Sequence, residues 1–124
     1  MPVDLESLRS YCLKKAGKIT EEFPFDEFAL VFKVNGKMFI IVGTNEHPIT
    51  INLKCDPERA VELRERYNAV LPGYHMNKKH WNTVILDGSL SSREVFGMID
   101  HSYDLVAKSA PARRTKRPQK KRIR

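Results

Sequence analysis

The chain is poor in the features that mark most sites of chemistry. It has two cysteines, Cys12 and Cys55. They lie far apart and in no Cys-x-x-Cys pattern, so they read as two small core residues rather than as a redox pair. No apolar run approaches the roughly 18 residues that a membrane-spanning helix needs. The first six residues, Met1 to Glu6, lack both the basic and the apolar segment of a secretory signal, so a cytoplasmic address is expected. There is no glycine-rich phosphate loop, because Gly36, Gly43, Gly73, Gly88 and Gly97 are scattered singly. Ser89, Ser91, Ser92 and Ser102 stand in no Gly-x-Ser-x-Gly elbow. These absences lead away from a catalyst and from any bound cofactor.

Charge is the first positive signal, and it is unevenly placed. The formal net charge is +7. Residues 111–124 contain Arg113, Arg114, Lys116, Arg117, Lys120, Lys121, Arg122 and Arg124 and no acid. Residues 1–110 hold 14 basic and 15 acidic side chains, a net of −1. A near-neutral domain over 1–110 therefore carries a strongly basic segment. That segment has Pro111 and Pro118, no apolar periodicity and a single large apolar residue, Ile123, and is expected to be disordered. Its charge favours a polyanion as partner. It lacks the bulky apolar anchors of a membrane-binding segment.

The body shows the periodicities of an α+β domain. Leu5, Leu8, Cys12 and Ala16 predict a helix over about 4–16, capped by Asp4 and stopped by Gly17. Residues 28–34 and 37–42 flank Asn35-Gly36, the preferred pair for a type I′ turn. A two-residue turn would set Phe32 opposite Phe39 and Leu30 opposite Ile41. Residues 49–54 alternate as a half-buried strand. Asp56-Pro57 opens a second helix as N-cap and N1. A connector over 71–82 then leads to a strand near 83–86. The capping box Ser91-Ser-Arg-Glu94 opens a third helix, in which Gly97 suggests close packing. The expected architecture is an antiparallel sheet packed with three helices.

Candidate chemistry gathers in one stretch, Pro72-Gly-Tyr-His-Met-Asn-Lys-Lys-His-Trp-Asn-Thr83. Lys78, Lys79, His75 and His80 suit phosphates, and Tyr74 and Trp81 can stack on bases or sugars. The plainer reading is an edge loop whose aromatics cover the core. A metal site would use His75 and His80, with Cys55, Asp56 or Asp87 as further ligands, but the spacing matches no recognisable set.

The same stretch resembles the signature of MmcQ/YjbR-type proteins. The likeness extends to the hairpin over 28–38, to Leu53-Lys54 and to Ser102-Tyr103-Asp104-Leu105-Val106, and so spans about residues 4–108. The resemblance implies a CyaY-like fold, a monomer in the cytoplasm, and DNA binding through a double-wing arrangement, with no catalytic activity. The family pattern falls on Lys37, Lys54, Pro72, Gly73, Tyr74, His75, Lys79, His80 and Trp81. CyaY proteins hold iron on an acidic first helix; here that helix offers Asp4 and Glu6 beside Arg9, Lys14 and Lys15. The expected function is non-enzymatic binding of nucleic acid, DNA ahead of RNA and with low sequence specificity. Lys37, Lys54, Lys78, Lys79, His80 and Trp81 would act together with the basic segment. A protein-interaction domain is the alternative, and a metal or enzymatic role through His75 and His80 the third.

Overall fold

The computed structural model describes residues 3–73 and 76–109. In chain order the elements are α1 (Leu5–Leu13), β1 (Ile19–Glu22), β2 (Ala29–Val34), β3 (Lys37–Gly43), β4 (Thr50–Lys54), α2 (Pro57–Arg66), β5 (Val70–Pro72), β6 (Trp81–Ile85) and α3 (Ser92–Ser109). The six strands form one sheet in the order β1-β2-β3-β4-β6-β5. Every neighbouring pair is antiparallel. The expected α+β class is the observed one. The segment 111–124, expected to be disordered, lies outside the described residues.

Local chemistry places most element ends. Asp4 caps α1 by accepting from the Ser7 N–H at 2.8 Å. The helix ends at Leu13, earlier than Gly17, which sits at φ +91° in the turn that follows. Asn35 and Gly36 take φ of 51° and 89°, the left-handed pair that a two-residue hairpin demands. Asp56 caps α2 with Pro57 behind it. Ser91 and Glu94 exchange the two bonds of the capping box at 3.0 and 3.1 Å.

Three expectations change. The hairpin register follows the turn only as far as Lys33↔Met38 and then slips, so that Phe32 pairs with Ile40, Val31 with Ile41 and Leu30 with Val42. Phe39 is the extra residue of a β-bulge, and both Phe39 and Ile40 reach the core. The connector also contains more strand than its composition suggests. Val70–Pro72 pairs along β6, and β6 begins at Trp81, so the true loop is only 73–80. Gly97 meets nothing where a side chain would stand, so the close packing expected there is absent.

Side-chain parity assigns the two faces of the sheet. Leu30, Phe32, Ile40, Val42, Ile51, Leu53, Val70 and Val84 point one way. They join Leu8 and Cys12 of α1 and Val95, Met98, Ile99 and Val106 of α3 in one core. Helix α2 meets the same face, where buried Asn82 donates to the Ala60 carbonyl at 3.4 Å. The helices form one layer and the sheet the other. The opposite face carries the row Glu22, Val31, Ile41, Asn52, Thr83 and Leu71 across all six strands.

One buried polar group ties the layers together. Ser102, fully buried on α3, donates from Oγ to the Phe39 carbonyl at 2.6 Å and accepts from the Lys54 N–H at 2.9 Å. The β3–β4 register makes Phe39 and Lys54 the pair after Ile40 and Leu53. The hydroxyl thus extends the β3–β4 ladder by one step through the helix, beyond its last pair Ile40 and Leu53. Ser102→Ala leaves a buried N–H and a buried carbonyl without that partner, which costs about 1–3 kcal/mol. Urea unfolding of the variant should show this loss at unchanged slope; an unaltered midpoint would mean that the ladder closes without the hydroxyl.

Candidate nucleic-acid interface

Strand direction decides which connections share an end of the sheet. The α1–β1 turn, the β2–β3 turn, the β4–α2 junction and the β5–β6 loop all lie at one end, since Ile19 pairs with Val34, Val34 with Lys37, and Lys54 with Trp81. These connections and the residues flanking them contain Lys14, Lys15, Lys18, Lys37, Lys54, Lys78 and Lys79, with Asp56 as the one acid in the connections. The opposite connections contain Asp26, Glu27, Glu46 and Asp87 and no lysine or arginine, and the residues flanking them add Glu22, Glu65 and Glu94 beside Arg66 and Arg93. A body of near-zero net charge is therefore polarised along its strands.

The end of α3 joins the basic side. Tyr103 donates its hydroxyl to the Ala16 carbonyl in the α1–β1 turn. Ser102 is already bound to Phe39 and Lys54. The helix continues to Ser109, roughly 10 Å further at the helical rise. Residues 110–124, with their eight cations, follow directly in sequence.

The β5–β6 loop is built rather than draped. Gly73 approaches Trp81 so closely that a β-carbon there would stand 2.8 Å from Trp81 Cβ. The Gly73 N–H donates to the Trp81 carbonyl at 2.9 Å. Asn77 accepts at its carbonyl from the Trp81 N–H (2.9 Å) and at its side chain from the Lys79 N–H (2.9 Å). The His80 carbonyl accepts from the Cys55 N–H at 2.8 Å, which fastens the loop to the β4–α2 junction. From α2, Arg64 bonds both the Asn82 side chain, at 2.7 Å, and the Lys78 carbonyl.

The structure brings together six of the predicted residues: Lys37, Lys54, Lys78, Lys79, His80 and Trp81. They do not all present free cations. Lys78 turns its ammonium toward the Gly73 carbonyl at 3.3 Å. Lys54 is half-buried beside Trp81, its strand partner. Lys37 and Lys79 are exposed and meet no acid among the described residues. Tyr74, His75, Arg113, Arg114, Lys116, Arg117, Lys120, Lys121, Arg122 and Arg124 lie outside the described residues. Among the described residues no three His, Cys, Asp or Glu side chains converge as metal ligands. Both thiols are free; burial pushes Cys12 up to about 12 and raises Cys55, which keeps them protonated at neutral pH. No helix among these residues is long and apolar enough to cross a membrane.

Sequence reasoning missed the braces Arg64, Asn77 and Asn82. The signal was present in Asn82, a polar residue at a strand position that alternation turns toward the core. The spacing of His101 and Asp104 reads as a solvated helix face, yet the His101 ring faces a small cleft between α2 and α3 lined by Leu53, Leu63, Val84 and Met98. Its Nε2 accepts from the Asp56 N–H at 3.2 Å, and Arg59 Nη1 stands 3.3 Å from Nδ1. Burial, and then the Arg59 charge, hold the ring below its ordinary value of 6.5, against the weaker pull of Asp56 and Asp104. The folded ring thus binds fewer protons than the unfolded one, so this contribution is intact at neutral pH. It is lost as pH falls below about 6.5 toward the folded value. Urea midpoints measured from about pH 7 to about pH 5 should decline in the native protein and stay flatter in His101→Gln. Parallel declines would remove His101 as the cause.

With this geometry described, comparison with known proteins is direct. A family model described as YjbR matches residues 14–105. The uncharacterized protein YjbR of Escherichia coli K12 is 34% identical over 112 residues, covering 90% of this chain and 94% of its own. The crystal structure of Deinococcus radiodurans protein DR2400, with family-model domain DUF419, superposes with a TM-score of 0.82 at 38% identity, over 89% of this chain and 83% of that one. A Pseudomonas syringae protein of known crystal structure gives 0.72 at 30% identity, over 84% of this chain and 99% of its own. The fold agrees with these matches, and the chain belongs to the YjbR family.

Proposed function

We propose that this protein binds nucleic acid, duplex DNA ahead of RNA and with low sequence specificity, and that it does so as a binding protein rather than a catalyst. The observation that carries the reading is the polarity of the fold. One end of the sheet gathers Lys37, Lys54 and Lys79 with Trp81, and α3 ends on that side with eight cations next in sequence. Phosphate contacts by lysine and arginine position a duplex without reading its bases, which fits a site whose exposed charge comes from ammonium groups. The acidic opposite end would repel the same polyanion and orient its approach. A single copy supplies the whole surface, and the cytoplasm is the compartment in which the reading places it.

Salt is the diagnostic variable. If about four cations neutralise phosphates, log K against log[salt] falls with a slope near −3.6. Fluorescence anisotropy with a short labelled duplex should show that slope. Deletion of 111–124 should make it shallower, and Lys79→Ala in the shortened chain should remove about one further contact. Glu46→Gln, at the far end, should leave the slope unchanged. Absence of salt-sensitive DNA or RNA binding by the full chain at low ionic strength would end this reading.

A further inference from the structure

The β1–β2 connection displays three phenylalanines to solvent. Phe23, Phe25 and Phe28 are 52%, 64% and 44% exposed, although phenylalanine is among the residues most often buried. The display is fixed. Asp26 Oδ1 accepts from the Phe28 N–H at 2.8 Å and the Ala29 N–H at 2.9 Å. The Phe28 carbonyl accepts from Thr44 N–H and Oγ1, both at 2.9 Å. A clustered apolar surface on a pinned loop marks a place of contact with another macromolecule.

Its rim says what kind. Glu27 and Glu46 are exposed and meet no cation among the described residues. Two such loops facing each other would set these acids against their own copies. The complement exists at the opposite end of the same sheet. There Leu13, 45% exposed, follows on α1 and is succeeded by Lys14 and Lys18. The Lys18 N–H donates to Asn35 Oδ1 at 3.1 Å, which sets Lys18 beside the turn that carries Lys37. None of these three lysines meets an acid among the described residues.

We infer that the phenylalanine loop of one copy docks, head to tail, on the Leu13, Lys14, Lys18 and Lys37 end of a second copy. The two surfaces occupy opposite ends of the domain, so the contact does not close on itself and yields short open chains. One loop buries less than the roughly 1,200 Å² of a stable interface, so association is weak and grows with concentration. Lys37 is shared with the proposed DNA surface, so duplex and second copy compete for it. The self-association does not depend on the DNA reading.

Sedimentation velocity of the full chain, over about a hundredfold range of concentration and at low and high salt, tests this. The average mass should rise above that of one chain with concentration at low salt and fall back at high salt. Phe25→Ser and Glu27→Lys should each hold the protein at single-chain mass. Both positions are exposed, so circular dichroism and Tm should be unchanged. Mixing Glu27→Lys with Lys37→Glu should restore association, because the swapped charges again attract. Single-chain mass under every condition overturns the inference. So does association that survives Phe25→Ser, or that ignores both salt and Glu27→Lys.

Discussion

The hydroxyl of Ser102 is the point on which the arrangement turns. The β3–β4 pairing ends at Ile40 and Leu53, and just beyond it the serine of α3 bonds both Phe39 and Lys54. A helix held this way cannot slide along the sheet without breaking two buried hydrogen bonds at once. Phe39 then meets Tyr103 edge to face at 5.4 Å, and the Tyr103 hydroxyl reaches the Ala16 carbonyl. Three elements distant in sequence are thereby fixed at one end of the domain. The direction in which α3 runs follows from the same contacts.

A second cluster holds α1 to α3 and limits which cations are free. Tyr11 stacks on Phe96 with centroids 4.2 Å apart and donates to Asp100 at 2.6 Å. Lys15 pairs with the same carboxylate and lies over the rings of Tyr11 and Tyr103. Its charge is consumed within the fold, whereas Lys14 and Lys18 on either side remain outward. The placement of the unpaired side chains, rather than net charge, produces the polarity: the described body is balanced overall, yet its two ends differ in sign.

Much of the fold was legible in the sequence because its signals are local. Asn35-Gly36 requires left-handed backbone, Asp56-Pro57 requires a helix start, and Ser91 with Glu94 closes a box within four residues. The misses are all tertiary. The Phe39 bulge lies where the chain meets a serine 63 residues away, whose hydroxyl donates to the Phe39 carbonyl. β5 is three residues long and exists because β6 has a free edge, not because Val70, Leu71 and Pro72 favour a strand. Of the candidate site, the basic and aromatic composition was readable, as was the family. Its division into free and engaged cations was not, because Lys78 and Lys79 are neighbours with the same chemistry and differ only in what surrounds them. Arg64 gave no sequence signal, and the spacing of His101 and Asp104 pointed to a solvated face, since the roles of both Arg64 and His101 lie in partners on other elements.

The central claim is that the folded body, and not only the basic segment after it, meets the polyanion through one end of the sheet. Amide and indole shift perturbation by nuclear magnetic resonance, with a short DNA duplex added to the full chain at low salt, addresses it residue by residue. The account predicts perturbations at Lys37, Lys54, Lys79 and the Trp81 indole, with Asp87 and Ser89, which lie at the acidic end outside both proposed surfaces, undisturbed. Shifts confined to residues after Ser109, or gathered at the phenylalanine end, would contradict it.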